Sequence, residues 1–449
     1  MTPANDTVRL LAASGQLGYG IPVPAFEAGV AERPDMIGAD MGSIDPGPHY
    51  LGSGKVAAGE SGIVHDLALV LGAARSAGVP ALIGNAGTAG RDDQLAHVLD
   101  LADRVLADQG RTARVVTMRT QVDRELLRER LRAGRVRSLP HVPPLTEEVL
   151  DATEVVVGQV GPERWLDALE FEPDVVLSGR SLDTAIFSAY AMRHGIDRAT
   201  ATHAAKILEC TSLAAARPGR DASLGVLRPG AFDFRSCGEN RPCTPRSVAA
   251  HAFYEQSDPS RIVEPGGHVD LRDARYEQLP DDAVRVSGST WVPADGYAVK
   301  IEGARRRGWR ALSVAGVLDP CVFARRAEID EEVRAAVRRV TSGAQLRIVW
   351  SGGTAAQDGV AYPASVLLDV VASTEDEAMS AAGAAKQYLL HASYEGLLNN
   401  GGNVAFPFSP EVVSVGPAYE FSVYHLLELN HVSEVGVLDT VTIGKGQST

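Results

Sequence analysis

Along the first half of the chain, short apolar runs alternate with longer stretches whose apolar residues recur at helical spacing. The runs at 8–13, 35–39, 81–83, 113–118, 155–157 and 175–177 are short and rich in Val, Ile, Leu and Ala, and they predict strands. Between and after them, helices are predicted over about 58–77, 94–108, 122–133, 184–194 and 199–216. Such an alternation is the pattern of βαβ units, so the fold class is α/β: a mainly parallel sheet with flanking helices. From about residue 283 the period shifts towards two. VRVSGSTWV, YAVKIEGA and RALSVAGVLD predict antiparallel strands, followed by helices over 328–340 and 375–390 and strands at 345–350 and 366–372. The expected division is therefore a 1–282 α/β domain and a smaller 283–449 α+β domain. Residues 137–144 predict an extended loop. The Gly/Pro/Arg-rich stretch 218–245 predicts a crossover or lid.

Four predicted strands run into unusual turns: SGQLGYG (14–20), GADMGSIDPG (38–47), GNAGTAGRDD (84–93) and SGRSLDTA (178–185). In a parallel sheet the carboxyl ends of the strands share one edge, so these loops should converge on a ligand site. The longest loop brings Asp40, Asp45, His49 and Lys55 together with five glycines. Asp40 and Asp45 could act as an acid/base pair or hold a divalent cation through their oxygens. Alternatively Asp45, before Pro46, only begins a turn. His49 is a further proton-transfer candidate, although a loop histidine is more often solvated.

In the 84–93 turn, Gly84, Gly87 and Gly90 could leave backbone amides open to an anion at a helix N-terminus, with Asn85 and Thr88 adding hydrogen bonds. The spacing is that of neither a dinucleotide fingerprint nor a phosphate-binding NTPase loop. The alternative is a capped tight turn with Asp92 or Asp93 in the first helical turn. Arg180 could clamp a carboxylate, and Asp183 could bind substrate or cap the helix. Ser181 lacks the context of a nucleophile elbow. Glu209 is an unusual acid within the apolar run AAKILECTSLAAA, where Cys210 reads as a structural thiol. Arg241 and Arg246 could meet an anionic substrate from the lid. Lys300 and Glu302 fall on one face of a strand, where an exposed ion pair is the default. Asn403, with Asn399 and Asn400, belongs to a second unusual stretch, NNGGNVAFPFSP.

Composition narrows the function classes. Of 449 residues, 45% are apolar and 22% charged, so a soluble multidomain protein is expected. A net charge of −14 argues against general nucleic-acid binding and against anionic membranes. Small anionic metabolites remain open as ligands, because local arginines and amides can hold them. No apolar run is long enough for a membrane span. The first fifteen residues lack a basic-then-apolar export pattern, so a cytoplasmic location is expected. Four cysteines without a C-x-x-C pair fit reduced thiols and no metal site.

GADMGSIDPGPHYLGSGK, LIGNAGTAGR, SGRSLDTA, KILECTSL and GGNVAFPFSP together give a chain that resembles the acyclic terpene utilisation (AtuA) family. The resemblance implies an α/β protein linked with degradation of terpenoid or acyl-CoA-type compounds. It also implies a small protein partner subunit. It transfers no catalytic residues. The leading expectation is a metabolic enzyme with lyase or hydratase chemistry on a small carboxylated or CoA-linked substrate, oligomeric and without a redox cofactor. Asp40, Asp45, His49 and Glu209 are its acid/base candidates. Its substrate-binding candidates are Gly84, Asn85, Gly87, Thr88, Gly90, Arg180, Asp183 and Asn403. The rival is a non-catalytic binding or assembly subunit of a larger complex.

Overall fold

A computed structural model describes residues 7–352, 364–397 and 401–444. The chain divides into two compact units, Met1–Ala304 with Phe421–Thr449, and Arg305–Glu420. The first unit thus takes in residues on both sides of the boundary expected near 283.

The first unit is built on a ten-stranded sheet. Five strands at its centre are parallel, in the order Val8–Ser14, Met36–Asp40, Ala81–Gly84, Val175–Ser178, Ala113–Arg119. Met36–Asp40, Ala81–Gly84 and Val175–Ser178 are buried at every residue, as expected for strands covered on both faces. Successive side chains divide between the faces. Leu10 and Ala12 join one apolar core with Phe187 and Leu208. Leu11 and Ala13 join another with Leu67, Val70 and Leu101. The helices Glu60–Ala77 and Asp92–Asp108 cover the second face, and Asp183–Arg193 and Arg198–Leu208 cover the first.

The sheet is mixed rather than mainly parallel. Ser223–Arg228, Ala231–Ser236, Val284–Ser287 and Arg275–Gln278 extend one side antiparallel, and Val437–Ile443 closes the other. The first two of these strands lie inside the stretch expected to be a lid. Two residues join them, with Gly230 at φ 78°, and so short a link permits only an antiparallel pair. Phe232 and Phe234 bury their rings on one face, an alternation hidden by the Gly, Pro and Arg around it. The helix expected over 199–216 stops at Leu208. A short 3-10 helix, Thr211–Ala214, follows a bend, and Thr211 adopts φ 52°.

Residues 300–304 of the long strand Tyr297–Val317 pair with Val155–Gln159 in the first unit. In the second unit, residues 309–317 pair with Ala364–Ala372, which pairs in turn with Gln345–Gly352. The helices Arg326–Val340 and Glu375–His391 supply Val333, Val337, Ala381 and Ala385 to this unit's core. Among the described residues, no helix is long and apolar enough to cross a membrane.

Candidate functional site

The carboxyl ends of the first two central strands deliver Ser14 and Asp40 to one cavity of about 290 Å³. Its wall is completed by the loops that follow those strands, the start of Asp183–Arg193, and the bend after Arg198–Leu208. Asp40, Asp45, Asp183, Glu209 and Glu255 all line it, together with Gln16, Cys210, Thr211 and Arg220.

The first turn is rigid for a local reason. Asp66, fully buried on the helix Glu60–Ala77, accepts hydrogen bonds from the amides of Gly18 (2.7 Å), Gly20 (3.1 Å) and Ile21 (2.9 Å). Gly15 lets the same turn approach the 209–210 backbone. A Cβ there would stand 2.7 Å from the Glu209 carbonyl oxygen. The wall that carries Ser14 and Gln16 is thereby set against the one that carries Glu209.

Asn85 organises the centre. It holds φ 52° and is fully buried. Its Nδ2 donates to Asp40 Oδ1 and to Asp183 Oδ1, each at 2.7 Å. Its Oδ1 accepts from an Arg180 guanidinium nitrogen (2.8 Å) and from the Ser181 amide (3.0 Å). Two carboxyls thus share one amide. Burial pushes Asp40 well above the usual carboxylate range, and the charge of Asp183 adds to the effect. Burial also raises Asp183, against the pull of Arg180. On the opposite wall Glu209 is only 6% exposed and accepts from Lys206 Nζ at 2.6 Å. Burial pushes its carboxyl up to about 8, although Lys206 works in the other direction. Lys206 also reaches Glu255, at 3.4 Å.

Several expected roles are corrected. The 84–90 turn does not present open amides. The Asn85 and Ala86 amides donate to Gly179 and Ser178 carbonyls, Thr88 to the Asn85 carbonyl, and Ala89 to Gln94 Oε1. Gly84, Asn85, Gly87, Thr88 and Gly90 are all buried. Gly90, at φ 70°, packs directly on the Arg180 backbone, where a Cβ would collide. The turn serves as a buckle for the preceding loop. Thr88 Oγ1 accepts from the Ala57 amide (2.9 Å), and Gln94 donates to the Tyr50 and Lys55 carbonyls.

Arg180, expected as a clamp for a carboxylate, is engaged inside the fold. It is 3% exposed, and its Nε donates to Glu302 Oε2 at 2.8 Å. Glu302 also pairs with Lys300 at 2.9 Å and is itself fully buried, so the pair expected on the surface has its carboxylate inside and its lysine half-buried. His49 opens the short helix His49–Ser53, with its ring edge-on to Tyr50, and is not among the cavity's lining residues. Asp45 lines the cavity from an exposed position. Arg241 pairs with Asp221, and Arg246 lines a separate surface hollow. Asn403 belongs to the second unit, where its side-chain amide donates to the Leu389 and Ala392 carbonyls at the end of Glu375–His391. Asn399 and Asn400 lie outside the described residues. Asp40, Asp45, Asp183 and Glu209 are therefore the expected residues that line one cavity. Gln16, Arg220 and Glu255 are additions to the lining, and Lys206 stands behind it, bonded to Glu209 and Glu255. Helical spacing from Glu209 could have pointed to Lys206; Gln16 lies in the SGQLGYG turn and Arg220 in the 218–245 stretch, both singled out as segments but not as residues, and nothing in the sequence pointed to Glu255.

Among the described residues, no group of three or more His, Cys, Asp or Glu side chains is arranged to hold a metal ion. All four cysteines are free thiols.

Fold and site together define a mixed α/β protein with a carboxylate-lined cleft at the carboxyl edge of its parallel strands. Residues 235–418 match the family model described as acyclic terpene utilisation family protein AtuA, and this supports the assignment of the chain as AtuA-like. No curated protein and no solved structure matches the chain.

Proposed function

We propose that the protein is an acid–base enzyme of the lyase or hydratase type. Its substrate is a small carboxylated molecule, or the acyl part of a CoA-linked one, drawn from acyclic terpenoid breakdown. One observation carries the reading: three carboxyls held high by burial, Asp40, Asp183 and Glu209, line a single small cavity. Adding or removing water beside a carbonyl needs one group to give a proton and another to take one. Asp40 and Asp183 each accept from Asn85, and burial, with the repulsion of Asp183 added, favours the protonated form of Asp40 as the proton donor. Glu209, with its value near 8, is close enough to neutrality to accept a proton from water and return it. The same two groups exchange roles in the reverse direction. The cavity lies at the small end of ligand pockets, about 300–1,000 Å³, so a thioester would seat its acyl group inside and leave the nucleotide out. The family's description supplies the acyclic terpenoid element.

The test is turnover by the purified protein of unsaturated and hydroxylated branched acids and their thioesters. Asp40→Asn and Glu209→Gln should each lower kcat by about 10²- to 10⁴-fold, the usual weight of a general acid or base. Full turnover in both variants would remove the reading and leave that of an assembly subunit.

A further inference from the structure

The carboxylates explain how the cleft could move protons, but not how it would hold an acid in place. Arg180, the sequence's candidate, is consumed by Glu302. Among the cavity's lining residues one cation remains, Arg220. It has no carboxylate partner among the described residues, and its guanidinium lies 5.9 Å from the ring of Tyr19, on the turn that forms the facing wall.

The segment that carries Arg220 is built rather than loose. Arg241 donates to the Arg217 carbonyl (3.1 Å) and the Pro218 carbonyl (3.0 Å) and pairs with Asp221 on the other side. Gly219 leaves room for that guanidinium, since a Cβ there would occupy the same space. The Gly219 amide donates to the Ser212 carbonyl at 3.2 Å, and Ser212 Oγ donates to the Asp221 carbonyl at 2.7 Å. Four neighbours of Arg220 are thus fixed, while Arg220 itself is exposed at the cavity's rim and lines it. An unpaired guanidinium on a pinned backbone matches a carboxylate, which it can grip with two parallel hydrogen bonds.

We propose that Arg220 is the carboxylate-recognition residue of this cleft. A substrate acid would be held at its carboxylate end by Arg220, with its reacting carbons directed towards Asp40, Asp183 and Glu209. The inference rests on the enzymatic reading above for its purpose, but it can be tested by binding alone. It also assigns the substrate class as a free acid, since the acyl thioester group seated in the cavity carries no charge for the guanidinium.

Isothermal titration of wild type, Arg220→Lys and Arg220→Gln would use branched acyclic monocarboxylic acids, each compared with its primary alcohol and its CoA thioester. Wild type should prefer the acid over the alcohol by about 10- to 100-fold, in line with a charge-assisted bond. Arg220→Gln should bring that ratio close to one without changing the alcohol's affinity, and Arg220→Lys should keep part of it. An unchanged ratio in Arg220→Gln would overturn the assignment. So would wild type that binds only the thioester, or none of these probes. Circular dichroism of the variants identifies a folding defect, and Asp221→Asn, which loosens the loop while keeping the guanidinium, provides a second check: it should weaken acid binding and spare alcohol binding. The two ideas fail separately, because the acid-to-alcohol ratio does not depend on Asp40, whereas turnover does.

Discussion

Asp40 and Arg180 sit within a few ångströms of Asn85 but do opposite work. Arg180 is neutralised by Glu302, which is fully buried and holds both Arg180 and Lys300; these two cations keep the Glu302 carboxyl below the usual carboxylate range despite its burial. Among the described residues Asp40 has no such partner within bonding distance, and it is pushed the other way. A buried carboxyl without a counter-charge destabilises the fold, and such groups are retained where chemistry uses them. Glu302→Ala would strand two cations, one of them wholly buried. We expect it to cost about 3–5 kcal/mol, measured by urea unfolding; a loss below about 1 kcal/mol would show the ion triad to be incidental. Glycine and serine content marked these turns in the sequence. It could not show that Arg180 meets Glu302, because the two are 122 residues apart.

At the scale of elements, the cleft depends on how each turn is pinned. The SGQLGYG turn owes its shape to Asp66, a residue on the third helix after it that carried no signal in the sequence. Asp66→Ala would leave three amides without an acceptor. With each unmade buried bond costing about 1–3 kcal/mol, a loss of about 3 kcal/mol in stability is expected. Hydrogen exchange at Gly18, Gly20 and Ile21 should quicken more than in the central strands, and exchange that stays unchanged there would refute the role. The 84–93 turn shows the reverse relation. Its glycines were visible as a loop of special geometry, but that geometry serves close packing on Gly179 and Arg180 rather than an anion. A glycine pattern encodes close approach and leaves unsaid what is approached.

For the molecule as a whole, the balance of buried titratable groups sets a pH dependence. Glu209 and Glu264 are raised to about 8 and about 7, and Asp40 and Asp183 are raised as well. In each case the folded protein keeps a proton that the unfolded chain has already released, so stability falls as pH rises towards the folded value. His203 and His251 oppose this trend, since burial lowers them to about 3 and about 4. Their contribution grows with pH and is complete above their ordinary value of 6.5. Between pH 6.5 and 8, then, mainly the carboxyls act. Unfolding free energy should drop over that window by about 1–2 kcal/mol for Glu209 alone, and Glu209→Gln should flatten the slope. A stability that rises from pH 6.5 to 8 would contradict the burial assigned to these groups.

The sequence by itself determined the strands and helices of the parallel centre, because their apolar runs and periodicities are local and leave little choice. It also determined that the loops after these strands are unusual, and the five central strands do place their loops along one edge. Only the tertiary structure decided which loop residues face the cavity and which are spent on one another. Asn85 bridging Asp40 and Asp183, Glu302 taking Arg180, and Arg220 left without a carboxylate partner among the described residues are facts about residues far apart in the chain. Of the antiparallel strands around the centre, the one at Val284–Ser287 was expected as antiparallel, but its place in this sheet and the other strands there were hidden, because edge pairing is fixed by which apolar face remains uncovered once the centre has formed. Burial, and with it the charge a side chain can keep, is a property of the assembled neighbourhood and not of any stretch of sequence.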